Sequence, residues 1–159
     1  MTKNDEEGPP RPGPRTLSEQ ELSGLLGGSG FGVLATNKRS GHPHLTTMLY
    51  HWDPQARLLR FATTADRVKV RHLRRDPRAA LHVATPDHMA FVVAEGRAEL
   101  TAVTGTPGDD IGRELLSLLP APPPPGEEQS VLAGLVDERR LVVRLLVDRL
   151  YGTALDGAG

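Results

Sequence analysis

Between Arg57 and Arg75 the chain carries Arg57, Arg60, Arg67, Lys69, Arg71, Arg74 and Arg75 against one acid, Asp66. Two adjacent hydroxyls, Thr63 and Thr64, stand where a strand is expected to end, and a helix is expected to start at about Asp66. The first N–H groups of a helix have no partner inside it and sit at the positive end of its dipole, so such a corner attracts anions. Thr63 and Thr64 add hydroxyl donors there, while Arg67 and Lys69 add charge in the first turn. A phosphate is the ligand that this set of donors suits. The competing reading is a solvated basic helix face with Asp66 as its N-cap. Against it, cations in a first turn oppose the dipole and cost helix stability unless an anion is present. Lysine is also scarce, at positions 3, 38 and 69 only, which singles out Lys69 in an arginine-rich chain.

Other chemistries find less support. With no cysteine among 159 residues, disulfides, thiolate zinc sites and cysteine nucleophiles are excluded together. His42 and His44 share one strand face by alternation, but no carboxylate follows before Asp53. They read as surface or turn histidines, and no metal is expected. No G-x-S-x-G, H-E-x-x-H or G-x-G-x-x-G pattern occurs. A net charge of -1 and 4% aromatic residues argue against a nucleic-acid binder. With no evident acid–base residue, hydride transfer by a bound cofactor fits best, the protein supplying binding, orientation and exclusion of water. No catalytic residue is assigned; the proton donor is left open between solvent and a pocket His or Tyr.

Short strands and a few helices must position these groups. Met1 to Arg15, with four prolines and charges of both signs, reads as a disordered tail, leaving 16–159 as one domain. Thr16 to Leu26 reads as a helix, with Ser18 and Glu21 at capping-box spacing. Strands are expected over Phe31–Asn37, His44–Trp52 and Arg57–Thr63, joined by turns too short for parallel crossovers and therefore antiparallel. A helix over Asp66–Arg75 and strands over Arg78–Ala84 and Met89–Val103 follow, the last crossed by Gly96 as a candidate bulge. Helices over Asp109–Leu119 and Glu127–Val136 flank a proline-rich loop, and Arg139–Val147 is the last long strand. This is a mainly β, antiparallel fold with peripheral helices; periodicity leaves barrel and sandwich open. No apolar run is long enough to span a bilayer and no secretory signal begins the chain, so a soluble cytoplasmic protein without membrane partners is expected.

The run LRFATTADRVKVRHLRRDPRAAL, preceded by GVLAT and GHPHLTTMLYHWD, resembles the pyridoxamine 5′-phosphate oxidase-like superfamily of split β-barrels. It is closest in pattern to the F420-dependent branch common in actinobacteria. Thr63, Lys69, Leu73 and Pro77 fall at the spacing of the flavin-oxidase pattern, and Gly41-His42-Pro43-His44 and Val93 to Ala98 match two further motifs. The resemblance implies an antiparallel split β-barrel and a homodimer with the cofactor between subunits. It implies Thr63, Thr64 and Lys69 on the cofactor phosphate, with Arg67 beside them. It places Thr46, Thr47, Met48 and Leu49 along the deazaflavin or flavin ring. Flavin oxidases carry Arg immediately before the Lys, where this chain has Val68. Phe91 stands at the position of a cofactor-contacting Gln, and the Lys that holds substrate phosphate in true pyridoxamine-phosphate oxidases maps near His51. These departures argue for F420, whose longer anionic tail suits Arg67, Arg71, Arg74 and Arg75, with FMN as the alternative cofactor. The implied activity is hydride transfer from reduced F420 to a small unsaturated molecule. The alternatives are an FMN-dependent oxidase or flavin reductase, and a non-catalytic flavin, F420 or haem binder.

Overall fold

A computed structural model describes residues 13–155. Most of the expected tail lies outside the described residues, but its last member, Arg15, is in a strand. The elements in order are β1 (Arg15–Thr16), α1 (Glu19–Gly27), β2 (Phe31–Asn37), β3 (Pro43–Leu49), β4 (His51–Asp53) and β5 (Leu58–Thr64). Then follow α2 (Val68–Arg75), β6 (Arg78–Ala84), β7 (Phe91–Leu100), α3 (Asp110–Ser117), α4 (Glu128–Asp137), β8 (Arg140–Tyr151) and β9 (Thr153–Ala154). No helix among the described residues is long and apolar enough to cross a membrane.

Seven strands form one antiparallel sheet in the order β3-β2-β6-β7-β8-β5-β4, and β1 pairs separately with β9. Only Tyr50 separates β3 from β4, yet these two strands are the opposite edges of the sheet. The sheet must therefore curl until its edges approach each other, which gives a half-barrel. The continuous strand expected over His44–Trp52 is corrected here: it breaks at Tyr50 and its halves pair with different neighbours. Tyr50 N–H donates to Gly30 O at 3.0 Å, and its phenol donates to Leu26 O at 2.6 Å. The first bond is the last rung of the β2–β3 ladder, and the second anchors the residue at which the chain leaves that ladder for its pairing with β5.

The inner face buries alternate residues, among them Leu34, Leu59, Phe61, Leu81, Val83, Leu141, Val143 and Leu145. Helix α1 closes the interior with Leu22 and Leu26. Full burial of each such side chain contributes about 1.5–3 kcal/mol. The Ser18–Glu21 capping box is present in both directions. The bulge expected at Gly96 is present too, as a register shift between Glu95 and Gly96 against β8. A Cβ at Gly96 would stand 2.0 Å from Leu146 O, so only glycine allows this approach.

Two expectations shorten. The strand over Met89–Val103 is confined to Phe91–Leu100, because Met89 and Ala90 belong to the turn anchored by Thr85 and Asp87. Leu119 lies beyond the end of α3 rather than inside it. The apolar segment Met89 to Val93 is largely covered within the chain: Val92 and Val93 are buried and only Met89 is exposed. The uncovered apolar surface lies instead on the outer face of β2 and β3, where Phe31 is 60%, Leu45 61% and Leu49 47% exposed.

Candidate functional site

The curl brings the edge strand β3 to the end of β5, where α2 begins. Between them lies a cavity of about 470 Å³ lined by His44, Thr46, Thr47, Ala62, Thr63, Thr64, Arg67, Val68, Lys69 and Arg140. Three cations and no carboxylate line this space, although Arg140 is also ion-paired with Glu138 beside it. Six of the eight residues expected to bind a cofactor (Thr46, Thr47, Thr63, Thr64, Arg67 and Lys69) are brought together there. Met48 and Leu49 line an adjoining cavity of about 490 Å³ with Tyr50, His51, Arg60, Phe61, Leu118, Leu119 and Pro120. Ala62 and Arg140 belong to both cavities, so the two form one groove with a basic end and a mostly apolar end.

Helix α2 is held in place from its buried side. Val70 and Leu73 are buried in the main core. Asn37 Nδ2 donates to Asp76 Oδ2 at 3.1 Å, and Arg75 donates to the Asn37 carbonyl, fastening the helix end to β2. His72 Nδ1 lies 2.9 Å from the buried Thr36 hydroxyl.

The helix start differs from expectation. Arg67, not Asp66, occupies the N-cap and makes no side-chain capping bond, and no acid stands in the first turn. Asp66 instead accepts the Thr64 hydroxyl at 2.6 Å, which holds its carboxyl below the usual range. The Thr64 proton is thereby committed, leaving Thr63 as the freer hydroxyl donor. A first turn with no capping side chain leaves its N–H groups available to a ligand.

Lys69 makes no ion pair among the described residues. Its ammonium is held below the ordinary lysine range, first by burial and then by the Arg67 guanidinium. An anion in the cavity would reverse both effects. Thr46 Oγ1 and His44 Nδ1 are buried and have no hydrogen-bond partner, although buried polar groups are normally paired. These orphaned atoms, the exposed helix N–H groups and the cations fit a phosphate-bearing group.

Not every expected contributor is free. Arg71 donates to the Asp66 carbonyl at 3.1 Å and Arg75 to that of Asn37, so two of the four arginines expected along an anionic tail hold backbone instead. Tyr50 lies in the groove, but its phenol is bonded to Leu26 O and its pKa is pushed up to about 12 by burial. Its proton is thus committed to that carbonyl, and His51 is the imidazole that lines the apolar end. His44, Arg60 and Arg140 line the groove without having been expected there. His44 reads from sequence as a surface histidine, yet its ring packs edge-on to His72 at 5.2 Å. Arg140 arrives through the β5–β8 register, which sets it opposite Thr64.

Among solved structures, a conserved hypothetical protein of Mycobacterium tuberculosis is 27% identical over 88% of this chain and 86% of its own, with a TM-score of 0.65. An F420 reductase (24% identity, 84% of this chain and 98% of that one, TM-score 0.61) shares the fold. So does an FAD-binding protein of Mesorhizobium loti (23% identity, 88% and 95%, TM-score 0.61). The family model for pyridoxamine 5′-phosphate oxidase matches residues 18–117, from the cap of α1 to the end of α3, and covers every lining residue of the basic cavity but Arg140. This chain belongs to the pyridoxamine 5′-phosphate oxidase family.

Proposed function

We propose that this chain is an oxidoreductase that binds F420 along the groove and uses its reduced form to transfer hydride to a small unsaturated molecule. One observation carries the reading: a cavity of about 470 Å³ with Arg67, Lys69 and Arg140, four threonines and no acid, continuous with a mostly apolar cavity of about 490 Å³. Thr63, Lys69, Arg67 and the first N–H groups of α2 would hold the phosphate. Thr46 and Thr47 would lie along the linker, and Met48 and Leu49 against the ring. The cofactor, when bound, supplies the hydride. The chain's own residues bind and orient it, and Leu118, Leu119 and Pro120 keep water from the apolar end. The proton that completes reduction of a substrate comes from solvent or from His51. Neighbours that are an F420 reductase and an FAD-binding protein support a redox cofactor of this shape.

FMN is the second reading, and the engagement of Arg71 and Arg75 with backbone carbonyls favours it, since a compact phosphate needs fewer outer cations. Val68 at the position before Lys69 favours F420, because valine cannot donate to a tightly clamped phosphate.

A homodimer is part of the proposal. The outer face of the edge pair exposes Phe31 of β2 with Leu45 and Leu49 of β3, and Leu49 also lines the apolar end of the groove. A partner seated there would cover the apolar patch and complete the wall of the site. The test is anaerobic: the protein is mixed with reduced F420 or reduced FMN, and cofactor oxidation is followed spectroscopically across a panel of quinones, enones and nitroaromatics. Oxidation that depends on both protein and an acceptor supports an enzyme. Tight binding without acceptor-dependent turnover supports a storage or sensing protein instead.

A further inference from the structure

The basic cavity makes no use of Arg60, which sits four residues before Thr64 on the same face of β5, roughly 13 Å along the strand from the basic end. It lines the apolar cavity with Met48, Leu49, Leu118 and Leu119. Across the sheet it faces Arg144 of β8, and both reach Glu114 of α3. Arg60 Nη1 lies 3.5 Å from Glu114 Oε1, while Arg144 Nε donates to the same oxygen at 3.1 Å and its Nη2 contacts Oε2. Glu114 is 15% exposed and Arg60 22%, while Arg144 on the outer side is 40% exposed. Arg144 first, by its hydrogen bonds, and Arg60 in addition hold the Glu114 carboxyl below the usual range. Arg144 also has Glu99 opposite it across β7 and β8, so Arg144 is offset by a second carboxylate and Arg60 is the guanidinium on the cavity side. Arg60 Nε is buried without a hydrogen-bond partner. A cation with an unsatisfied donor beside an apolar cavity is costly unless a ligand brings the acceptor.

We propose that Arg60, oriented by Glu114, reads the redox state of the ring bound in the apolar cavity, favouring the reduced form, whose negative charge is localised on its nitrogen- and oxygen-bearing edge, over the oxidised form. The inference rests on the function proposed above. Reduction by two electrons with uptake of one proton leaves the nitrogen- and oxygen-bearing edge of such a ring with a negative charge. A cation held beside that edge, with a bound ring displacing water between them, stabilises that charge more than it would in bulk water. The competing role is structural: Arg60 would staple α3 to β5 and nothing more. In that case its loss lowers stability and affects both redox forms of the ligand alike.

The test compares wild type, Arg60→Met and Glu114→Gln, titrated anaerobically with F420 and FMN, each oxidised and chemically reduced. Arg60→Met is expected to lose at least tenfold more affinity for the reduced form than for the oxidised one. For a two-electron couple that difference lowers the midpoint potential of the bound cofactor by about 30 mV, readable against a reference dye. Glu114→Gln keeps Arg60 but removes its counter-charge, so the preference for the reduced form should grow. That opposite sign decides the matter even if Arg60→Met fails to fold. Equal losses for both redox forms in Arg60→Met, or an unchanged preference in Glu114→Gln, overturn the inference while leaving the proposed function standing. A wild type that binds neither cofactor overturns both.

Discussion

Replacing Lys69 with Ala takes the only lysine out of the basic cavity and should leave α2 in place. Alanine is the better helix former, and the docking face of α2 is carried by Val70 and Leu73. A hydrogen bond from a charged donor to phosphate contributes about 1.5–3 kcal/mol, so cofactor affinity should fall roughly ten- to a hundredfold. The structure adds a pH signature. In the free protein, burial and Arg67 hold Lys69 below the ordinary lysine range, and a bound phosphate would raise it again. Binding therefore takes up a proton wherever the pH lies between the free and bound values. Affinity should be greatest below the free-protein value and decline as the pH rises through it. In Lys69→Ala that alkaline decline should vanish. Because the folded-state value is lowered, charged Lys69 disfavours the ligand-free fold at neutral pH, so the ligand-free variant should melt no lower than wild type. Fluorescence titration with F420 and FMN, from neutral pH up to the lysine range, measures all three effects. Wild-type affinity for both cofactors in the variant, or an unchanged alkaline decline, would refute the assignment of Lys69 to the phosphate.

Three further outcomes are expected. Gly96→Ala places a Cβ 2.0 Å from Leu146 O and 3.0 Å from Val147 Cα, both backbone, so the melting temperature should drop by roughly 10 °C; a drop within error would show that the bulge yields freely. The Asp109 carboxyl, held at about 2 by Gly112 N–H first and then by Gly105 N–H and the Thr104 hydroxyl, contributes stability that is complete above the unfolded value of about 3.9 and is lost as the pH falls toward 2. Denaturant titrations of Asp109→Asn should lose that part of the acid dependence, and an identical acid profile would contradict it. Wild type should sediment as a dimer and Leu45→Glu as a monomer with weakened cofactor binding, because Leu45 stands at the centre of the exposed outer face of β3; a wild-type monomer near 17.2 kDa would sink the dimer.

Legibility in the sequence follows the range of the interaction that decides each feature. Phe31–Asn37 and Arg78–Ala84 are readable at both ends, because alternation and flanking turn residues are local signals. The Ser18–Glu21 cap and the Gly96 bulge are readable for the same reason. The break at Tyr50 is not, since it depends on carbonyls of Leu26 and Gly30 that only the folded chain brings near. The two-residue pairing of β1 with β9 joins Arg15 to Ala154, and no pattern that short announces itself. At the site, Thr63, Thr64, Arg67 and Lys69 are consecutive enough to be seen together, and Thr46 and Thr47 join them through the motif in which they stand. Arg140 and Glu114 come from distant elements, and their places are set by the β5–β8 register and by α3 packing on β8. The exchange of Asp66 for Arg67 at the cap turns on which acceptor the Thr64 hydroxyl finds, a choice that residue type alone leaves open.

The most direct measurement is a side-by-side equilibrium titration of the wild-type protein with F420 and with FMN at equal ionic strength, with Lys69→Ala run in parallel. The account predicts saturable binding of F420 that is tighter than that of FMN and is weakened at least tenfold by the substitution. Equal or tighter FMN binding would contradict the choice of F420 and leave the flavin reading in place. Failure of both cofactors to bind would contradict the claim that the groove of Thr63, Arg67, Lys69 and Arg140 is a redox-cofactor site.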